Sequence, residues 1–211
     1  MSESPGTLPG MPDTTALRPA SVRSVDELRM LVDAGATPKY LHFWGHQPEA
    51  DGSAGRGSLS QWFEAPFVVD GVRYGTAEHW MMAEKARLFG DPEAERAAID
   101  APNPALAKAA GRTVRDFDDE VWVRERFEIV VRGSEHKFGA HPHLREYLVR
   151  TGSRVLVEAS PRDRVWGIGM GAGNEDAERP AAWRGLNLLG FALMEARERL
   201  EKGATAPSSG R

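Results

Sequence analysis

The sequence predicts a helix-rich α+β fold, a single domain with short strands and disordered termini. Three observations predict it: helix-capping signals recur along the chain, the strand-like segments are few and short, and no internal repeat is present. A chain of 211 residues suits one domain. Because both ends are rich in Pro, Ser, Thr and Gly, we expect disordered tails at 1–22 and 203–211 and a folded domain at 23–202.

Capping signals predict where the helices begin. Ser24 followed by acidic residues indicates one helix start. Asp91-Pro92 and Asn103-Pro104 each place a capping side chain before proline at the first helical position. Asp118 or Asp119 should cap a long helix that Gly139 ends. Further helices are expected at 76–88, 143–149 and 186–200.

The strand candidates are short and separated by loops. Residues 39–44 and 155–157 have strand character, and 67–74 predict a hairpin in which Asp70-Gly71 supplies the turn. Residues 46–58 are polar and rich in Gly, and 160–180 show no regular pattern, so we expect loops there.

The composition excludes several classes of protein. The absence of Cys excludes disulfides, Cys-based zinc sites and a cysteine nucleophile. The six His residues show no His-Glu-x-x-His spacing, so neither a metal site nor a cofactor is expected. A net charge of −4 disfavours extended binding to duplex nucleic acid. With no long apolar run and no secretory signal, we expect a cytoplasmic location without a membrane partner, whereas the oligomeric state stays open.

The predicted helix at 76–88 carries an acid and an amine on one face. Glu78 and Lys85 are seven residues apart, so they lie within about 20° around the helix axis and about 10 Å along it. Met82 lies between them. A buried Glu gains a raised pKa and suits acid–base catalysis, and a buried Lys suits imine formation or phosphate binding. The alternative is that Glu78 stabilises the helix N-terminus and Lys85 is a surface cation.

A second candidate segment follows the last predicted strand. Asp163 precedes Trp166 by three residues, and glycines alternate after the tryptophan. Alternating glycines let the backbone approach a ligand closely, and a tryptophan can stack on a heterocyclic ring. The alternative is a flexible glycine-rich surface loop.

The chain resembles the NADAR family from about residue 40 to residue 200, in several ordered motifs. These are Ser60-Gln-Trp-Phe63, Val69-Asp-Gly71, Thr76-Ala-Glu-His-Trp80, Ala83-Glu-Lys85, Ala110-Gly-Arg112, His136-Lys-Phe138, Leu156-Val-Glu158, Asp163-Arg-Val-Trp-Gly167 and Trp183-Arg-Gly-Leu-Asn-Leu-Leu-Gly190. Two positions depart from the family pattern: Glu84 replaces a frequent Gln, and Ile168 replaces the Asp of the riboflavin-type members.

This resemblance implies a compact α+β fold and N-glycosidase activity on ribosides. The implied substrates are ribosylamino intermediates of the riboflavin pathway or ADP-ribosylated guanine in nucleic acid. It implies catalytic roles for Glu78, Asp163 and Lys85. The implied substrate-binding residues are Trp166, Gly167, Lys137, Arg112, Trp122, Asn187 and Phe43.

Two mechanisms and two other classes of protein stay open from the sequence. Glu78 and Asp163 could act from opposite sides of a ribosyl cation, or Lys85 could attack the opened sugar as an imine. The pocket could instead bind ADP-ribose or a nucleotide without cleaving it, although a pure anion binder would need cations rather than two acids. The motifs could also serve packing alone.

Overall fold

The computed structural model describes residues 18–205, excepting the side chains of the last two. In this range it confirms the predicted helix-rich α+β fold. The helices are α1 (Val25–Asp33), α2 (Ala77–Leu88), α3 (Pro92–Ile99), α4 (Pro104–Gly111), α5 (Asp119–Ala140), α6 (Pro142–Arg150) and α7 (Leu188–Thr205). The strands are β1 (Tyr40–Phe43), β2 (Phe67–Val69), β3 (Val72–Tyr74) and β4 (Val155–Glu158), and single 3₁₀ turns lie at Arg56–Leu59 and Pro180–Ala182.

The predicted capping residues begin their helices as expected. The Ser24 hydroxyl accepts a hydrogen bond from the Glu27 N–H, which satisfies an otherwise unpaired donor of the first turn. The side chains of Asp91, Asn103 and Asp118 accept equivalent bonds at the starts of α3, α4 and α5. Local sequence therefore determines these four helix starts.

Several predicted boundaries are wrong. Helix α5 continues through Gly139 to Ala140, and its end is set by His141, whose backbone is extended because a proline follows. Helix α7 spans 188–205 rather than 186–200, so it enters the predicted C-terminal tail. Val22, assigned to the N-terminal tail, is fully buried in the core. Residues 18–21 of the same predicted tail form a turn, in which the Ser21 N–H donates to the Arg18 carbonyl oxygen. Residues 1–17 and 206–211 of the predicted tails lie outside the described residues.

The four strands form two separate pairs. Strands β2 and β3 make the predicted hairpin, with φ +49° at Asp70 and +80° at Gly71 in its turn. Strands β1 and β4 pair in parallel, with Tyr40 opposite Val155 and Phe43 opposite Glu158. The carboxyl ends of these parallel strands therefore meet at one edge, which is where ligands bind in many open α/β sheets.

Helix α2 is the most enclosed helix, because α3, α4 and α5 all pack against it. Every side chain from residue 77 to residue 83 is buried, including Glu78 and His79. Helix α7 packs against both β4 and α5. Among residues 18–205, no helix is both long and apolar enough to span a bilayer.

Candidate active site

A cavity of about 440 Å³ opens at the carboxyl ends of β1 and β4. Three carboxyl side chains line it, those of Glu78, Glu158 and Asp163, together with the amine of Lys108. The remaining lining residues are Trp44, Gly45, His46, Ser60, Gln61, Trp62, Met81, Ser160, Trp166 and Leu189. Glu78 and Trp166, to which the family resemblance gives a catalytic and a substrate-binding role, thus share one cavity.

Glu78 lies in the first turn of α2 and is 2% exposed. Its backbone N–H donates to the Gln61 carbonyl oxygen at 3.0 Å, which joins α2 to the segment that forms one cavity wall. Its Oε1 is buried without a hydrogen-bond partner among the described residues. Burial raises the pKa of Glu78 to about 7, and the charge of Lys108 and the indole of Trp62 oppose this shift. A carboxyl with this pKa exchanges protons near neutral pH.

Glu158 is the last residue of β4 and contributes the second carboxyl, which is half-buried. Its Oε2 is buried and has no hydrogen-bond partner within residues 18–205. Burial raises the pKa of Glu158 to about 8, and the negative charges of Asp163 and Glu78 act in the same direction. Glu158 was not among the predicted site residues, although it stands in one of the family motifs.

Asp163 organises the loop that carries Trp166. Its Oδ1 accepts hydrogen bonds from the N–H groups of Val165 (2.8 Å) and Trp166 (2.7 Å). Gly167, predicted to bind substrate, does not line the cavity: a Cβ there would lie 2.8 Å from the last carbonyl oxygen of β4. The glycine therefore lets the loop pack closely on the strand, which places the indole of Trp166 at the cavity.

Three tryptophans surround the cavity. Trp166 and Trp62 are half-buried, whereas Trp44 is 66% exposed at the rim. Phe43, predicted to bind substrate, is instead buried in the core. Adjacent side chains of an extended chain point in opposite directions, so Phe43 faces the core where Trp44 faces the cavity. Exposed indoles are costly unless they serve binding, and their flat faces suit stacking on a heterocycle.

Two cations of α4, four residues apart on one face of the helix, act on the cavity. Lys108 lines the cavity, and its Nζ is 6.0 Å from the ring centre of Trp62. Arg112 follows at the C-terminal cap of α4 and is exposed. The charges of both lower the pKa of Glu78, so both lie within electrostatic range of the catalytic candidate.

Lys85 and Trp122 do not line the cavity, contrary to the sequence-based prediction. The Lys85 ammonium donates to the Gly111 carbonyl oxygen at 2.8 Å, at the C-terminus of α4. It also lies 4.1 Å from the ring centre of Phe117 and 5.6 Å from that of Trp122. Lys85 is thus occupied by a helix end and aromatic faces, so the imine route has no support from the geometry.

Asn187 is a structural residue rather than a ribose or phosphate contact. It is fully buried at φ +52°. Its Oδ1 accepts from the Glu158 N–H and its Nδ2 donates to the Leu156 carbonyl oxygen, both at 2.9 Å. Gly190 leaves room for this amide, since a Cβ there would lie 2.6 Å from Nδ2. Asn187 therefore fixes the end of β4 that presents Glu158 to the cavity.

Lys137 is buried beneath the cavity wall and does not line it. Its Nζ donates to the carbonyl oxygens of Ser58 (2.6 Å) and Ser60 (2.8 Å). It is 1% exposed, and burial lowers its pKa to about 7. The predicted substrate contact is thus a support for the segment that carries Gln61 and Trp62.

Replacing Lys137 with methionine should reveal the titration of this buried amine. In the unfolded chain its pKa is near 10.5, so between pH 7 and 10.5 folding releases a proton, and this group adds stability as pH rises. The wild-type advantage in free energy of unfolding over Lys137→Met should therefore increase from pH 7 to 9, by at most about 1.4 kcal/mol per pH unit. Urea titrations at three pH values measure it, with exposed Lys39→Met as control. A pH-independent difference would contradict the prediction.

Three lining residues could not be identified as site residues before the fold was known: Glu158, Lys108 and Trp44. Glu158 and Trp44 stand at the ends of two strand candidates far apart in the chain, and only parallel pairing brings them to one edge. Lys108 stands on an ordinary amphipathic helix. Ile168, where riboflavin-type members carry Asp, is fully buried in the core, so it does not contact a ligand in this cavity.

A larger hollow of about 860 Å³ adjoins the cavity, and His46 and Trp62 line both. His79 faces this second hollow, with Nε2 at 3.0 Å from the Ala101 carbonyl oxygen and Nδ1 at 2.8 Å from the Thr76 hydroxyl. Burial lowers the pKa of His79, and the hydrogen bond to Ala101 opposes this shift. The imidazole thus links α2 to the segment just before α4. It does not line the cavity that holds the three carboxyl groups.

Comparisons with known proteins agree on one family. A model of the NADAR domain matches residues 42–201. The protein named N-glycosidase R617 of Acanthamoeba polyphaga mimivirus is 38% identical over 167 residues, 77% of this chain and 96% of the viral protein. N-glycosidase YbiA of Escherichia coli strain K12 is 31% identical over 144 residues, 68% and 81% of the two chains. The NMR structure of E. coli YbiA superposes with a TM-score of 0.64 at 23% identity, covering 90% of this chain and 95% of that one, which shows a shared fold.

Proposed function

Because the chain belongs to the NADAR family, we propose that it hydrolyses the ribosyl C–N bond of a phosphorylated nucleotide-like substrate, with Glu78 as the central carboxylate. Its relatives' shared activity makes it an enzyme that acts on N-glycosyl bonds. The observation that carries the proposal is that Glu78 and Trp166 line one cavity together with two further acids. A pure anion-binding pocket would need cations there instead.

The chemistry of the bond explains why a buried carboxylate suits this site. As the C–N bond breaks, positive charge develops on the anomeric carbon and the leaving nitrogen needs a proton. An ionised Glu78 stabilises that charge and accepts a proton from the attacking water. Trp166 stacks on the leaving heterocycle and keeps bulk water away from it, in the position that Asp163 fixes through its backbone hydrogen bonds.

We place the substrate phosphate at the rim of the cavity, against Lys108 and Arg112. Lys108→Gln should raise KM for a ribosyl phosphate by about tenfold, because one charge-assisted contact to phosphate contributes on the order of 1.5 kcal/mol, and kcat should change little. Steady-state kinetics over a range of substrate concentrations measure both constants. Lys39→Gln, an exposed lysine at the opposite end of β1, is the control. An unchanged KM would place the phosphate elsewhere.

A screen of purified protein separates hydrolysis from binding. The substrates are a ribosylamino-pyrimidine phosphate and an oligonucleotide with ADP-ribosylated guanine, and chromatography measures release of the free amine from the first and of ADP-ribose from the second. Release from either substrate by wild type, and not by Glu78→Gln, supports the proposal. Binding of both without release would instead favour a non-catalytic nucleotide-binding module.

A further inference from the structure

The end of β4 holds Glu158 in one position. Its N–H donates to the Asn187 amide oxygen at 2.9 Å, and its carbonyl oxygen accepts from the Ile168 N–H at 2.9 Å. The backbone is therefore fixed from both sides, and the side chain extends into the cavity that Glu78 also lines. A group held this way loses little entropy when it meets a substrate, which suits a role in the reaction itself.

The charges around the cavity do not balance if all its acids are ionised. Glu78, Glu158 and Asp163 face one another, and Lys108 is the cation that lines the same space. One oxygen of each glutamate is buried without a hydrogen-bond partner in the part of the chain that the structure describes. A buried carboxylate with an unpaired oxygen is costly, and two like charges in one site cannot both persist, so one carboxyl keeps its proton.

We propose that Glu158 is the general acid of this site, the group that protonates the leaving nitrogen while Glu78 serves as the base. This rests on the proposed N-glycosidase reaction and assigns Glu158 the second acidic role that the sequence analysis gave to Asp163. Asp163 is bound to its own loop, because its Oδ1 already accepts two backbone N–H groups. It is a positioning residue for Trp166.

The step is balanced without a further reactant. The ribosyl C–N bond breaks and its electron pair goes to nitrogen, which takes the proton of the Glu158 carboxyl. The oxygen of water bonds to the anomeric carbon and its proton passes to the Glu78 carboxylate. The products are the free ribosyl sugar and the protonated base or amine, and transfer of one proton from Glu78 to Glu158 restores the starting state.

The electrostatics agree with this direction of proton transfer. Burial and the negative charges of Asp163 and Glu78 raise the pKa of Glu158, whereas at Glu78 the charges of Lys108 and Arg112 and the indole of Trp62 oppose the rise. A single proton on the pair therefore resides mainly on Glu158, and the two carboxyls titrate as a unit. The active form, with Glu158 protonated and Glu78 ionised, should give a bell-shaped dependence of kcat/KM on pH.

Glu158→Gln provides the kinetic test, on the ribosylamino-pyrimidine phosphate and the ADP-ribosylated oligonucleotide. We expect kcat/KM to fall by about 10²- to 10⁴-fold and its decline at high pH to disappear, because glutamine cannot donate this proton. Glu158→Asp, which keeps a shorter carboxyl, should retain part of the activity and the high-pH decline. Exposed Glu120→Gln is the control. A Glu158→Gln variant with wild-type activity, or with an unchanged high-pH decline, would overturn the proposal.

A second measurement does not depend on finding the substrate. In wild-type protein with ¹³C-labelled glutamate, NMR titration of the carboxyl carbons should show Glu158 protonated at pH 7, with Glu158→Gln and Glu78→Gln identifying the two signals. A Glu158 carboxyl that titrates near pH 4.5 would overturn its role as an acid, even in a protein shown to be an N-glycosidase. A protonated Glu158 in a protein that cleaves neither substrate would instead overturn the proposed function.

Discussion

Replacing Glu78 with glutamine should lower kcat/KM by about 10²- to 10³-fold, which corresponds to on the order of 3–4 kcal/mol of transition-state stabilisation. Glutamine keeps the shape of the side chain but cannot carry the negative charge that opposes the ribosyl cation or accept a proton from water. Base release from the ribosylamino-pyrimidine phosphate measures the loss. Glu93→Gln, whose side chain is 85% exposed on α3, is the matched control and should keep full activity. A Glu78→Gln variant with full activity would refute the assignment.

The same variant should be more stable than wild type at pH 8. Burial raises the pKa of Glu78 from 4.5 to about 7, so the folded state keeps a proton that the unfolded chain releases. The stability linked to this proton is complete below pH 4.5 and is lost as the pH rises through about 7. Glutamine does not ionise, so its advantage in melting temperature should be larger at pH 8 than at pH 5. Loss of both activity and stability would point to a misfolded variant.

Asn187→Ala should destabilise the protein by about 3 kcal/mol in total. About 2 kcal/mol comes from two backbone groups of β4 that are left without partners, and on the order of 1 kcal/mol comes from alanine at φ +52°. For a domain of this size the melting temperature should fall by roughly 6–12 °C. Differential scanning calorimetry measures it.

Two further variants separate the contributions at this position. Asn187→Gly removes the backbone strain and leaves the β4 groups unpaired, so it should lie between wild type and Asn187→Ala. Asn174→Ala removes an exposed amide that bonds only within its own turn, and it should melt close to wild type. If Asn187→Ala melts with Asn174→Ala, the amide does not hold β4 as described.

Helix starts with strong capping signals could be predicted from the sequence, whereas the predicted end of α5 was wrong because a weak signal was preferred to a stronger one. Asp91-Pro92 and Asn103-Pro104 begin their helices because a capping side chain and a fixed proline φ act within one turn. Gly139 did not end α5, because glycine in an exposed helical position costs only about 1 kcal/mol. The chain stops instead before Pro142, which restricts His141.

Some residues of the site could be predicted from the sequence, and others could not. Glu78 and Trp166 could be selected from residue type and family motif, and the shared cavity confirms that they lie together. Lys85 was selected by helical periodicity, which gives the face of a helix but not the element that packs on it; here that element is the end of α4. Glu158 could not be selected from spacing, since its place depends on the parallel pairing of two strands more than one hundred residues apart.

The walls of the cavity come from six stretches of chain, and the first and last of them are separated by more than half the sequence. Glu78 and Glu158 are far apart in the chain, so only the folded protein brings their carboxyl groups to one cavity. Catalytic activity therefore depends on the global fold. On heating, the loss of activity and the loss of the circular dichroism signal should coincide.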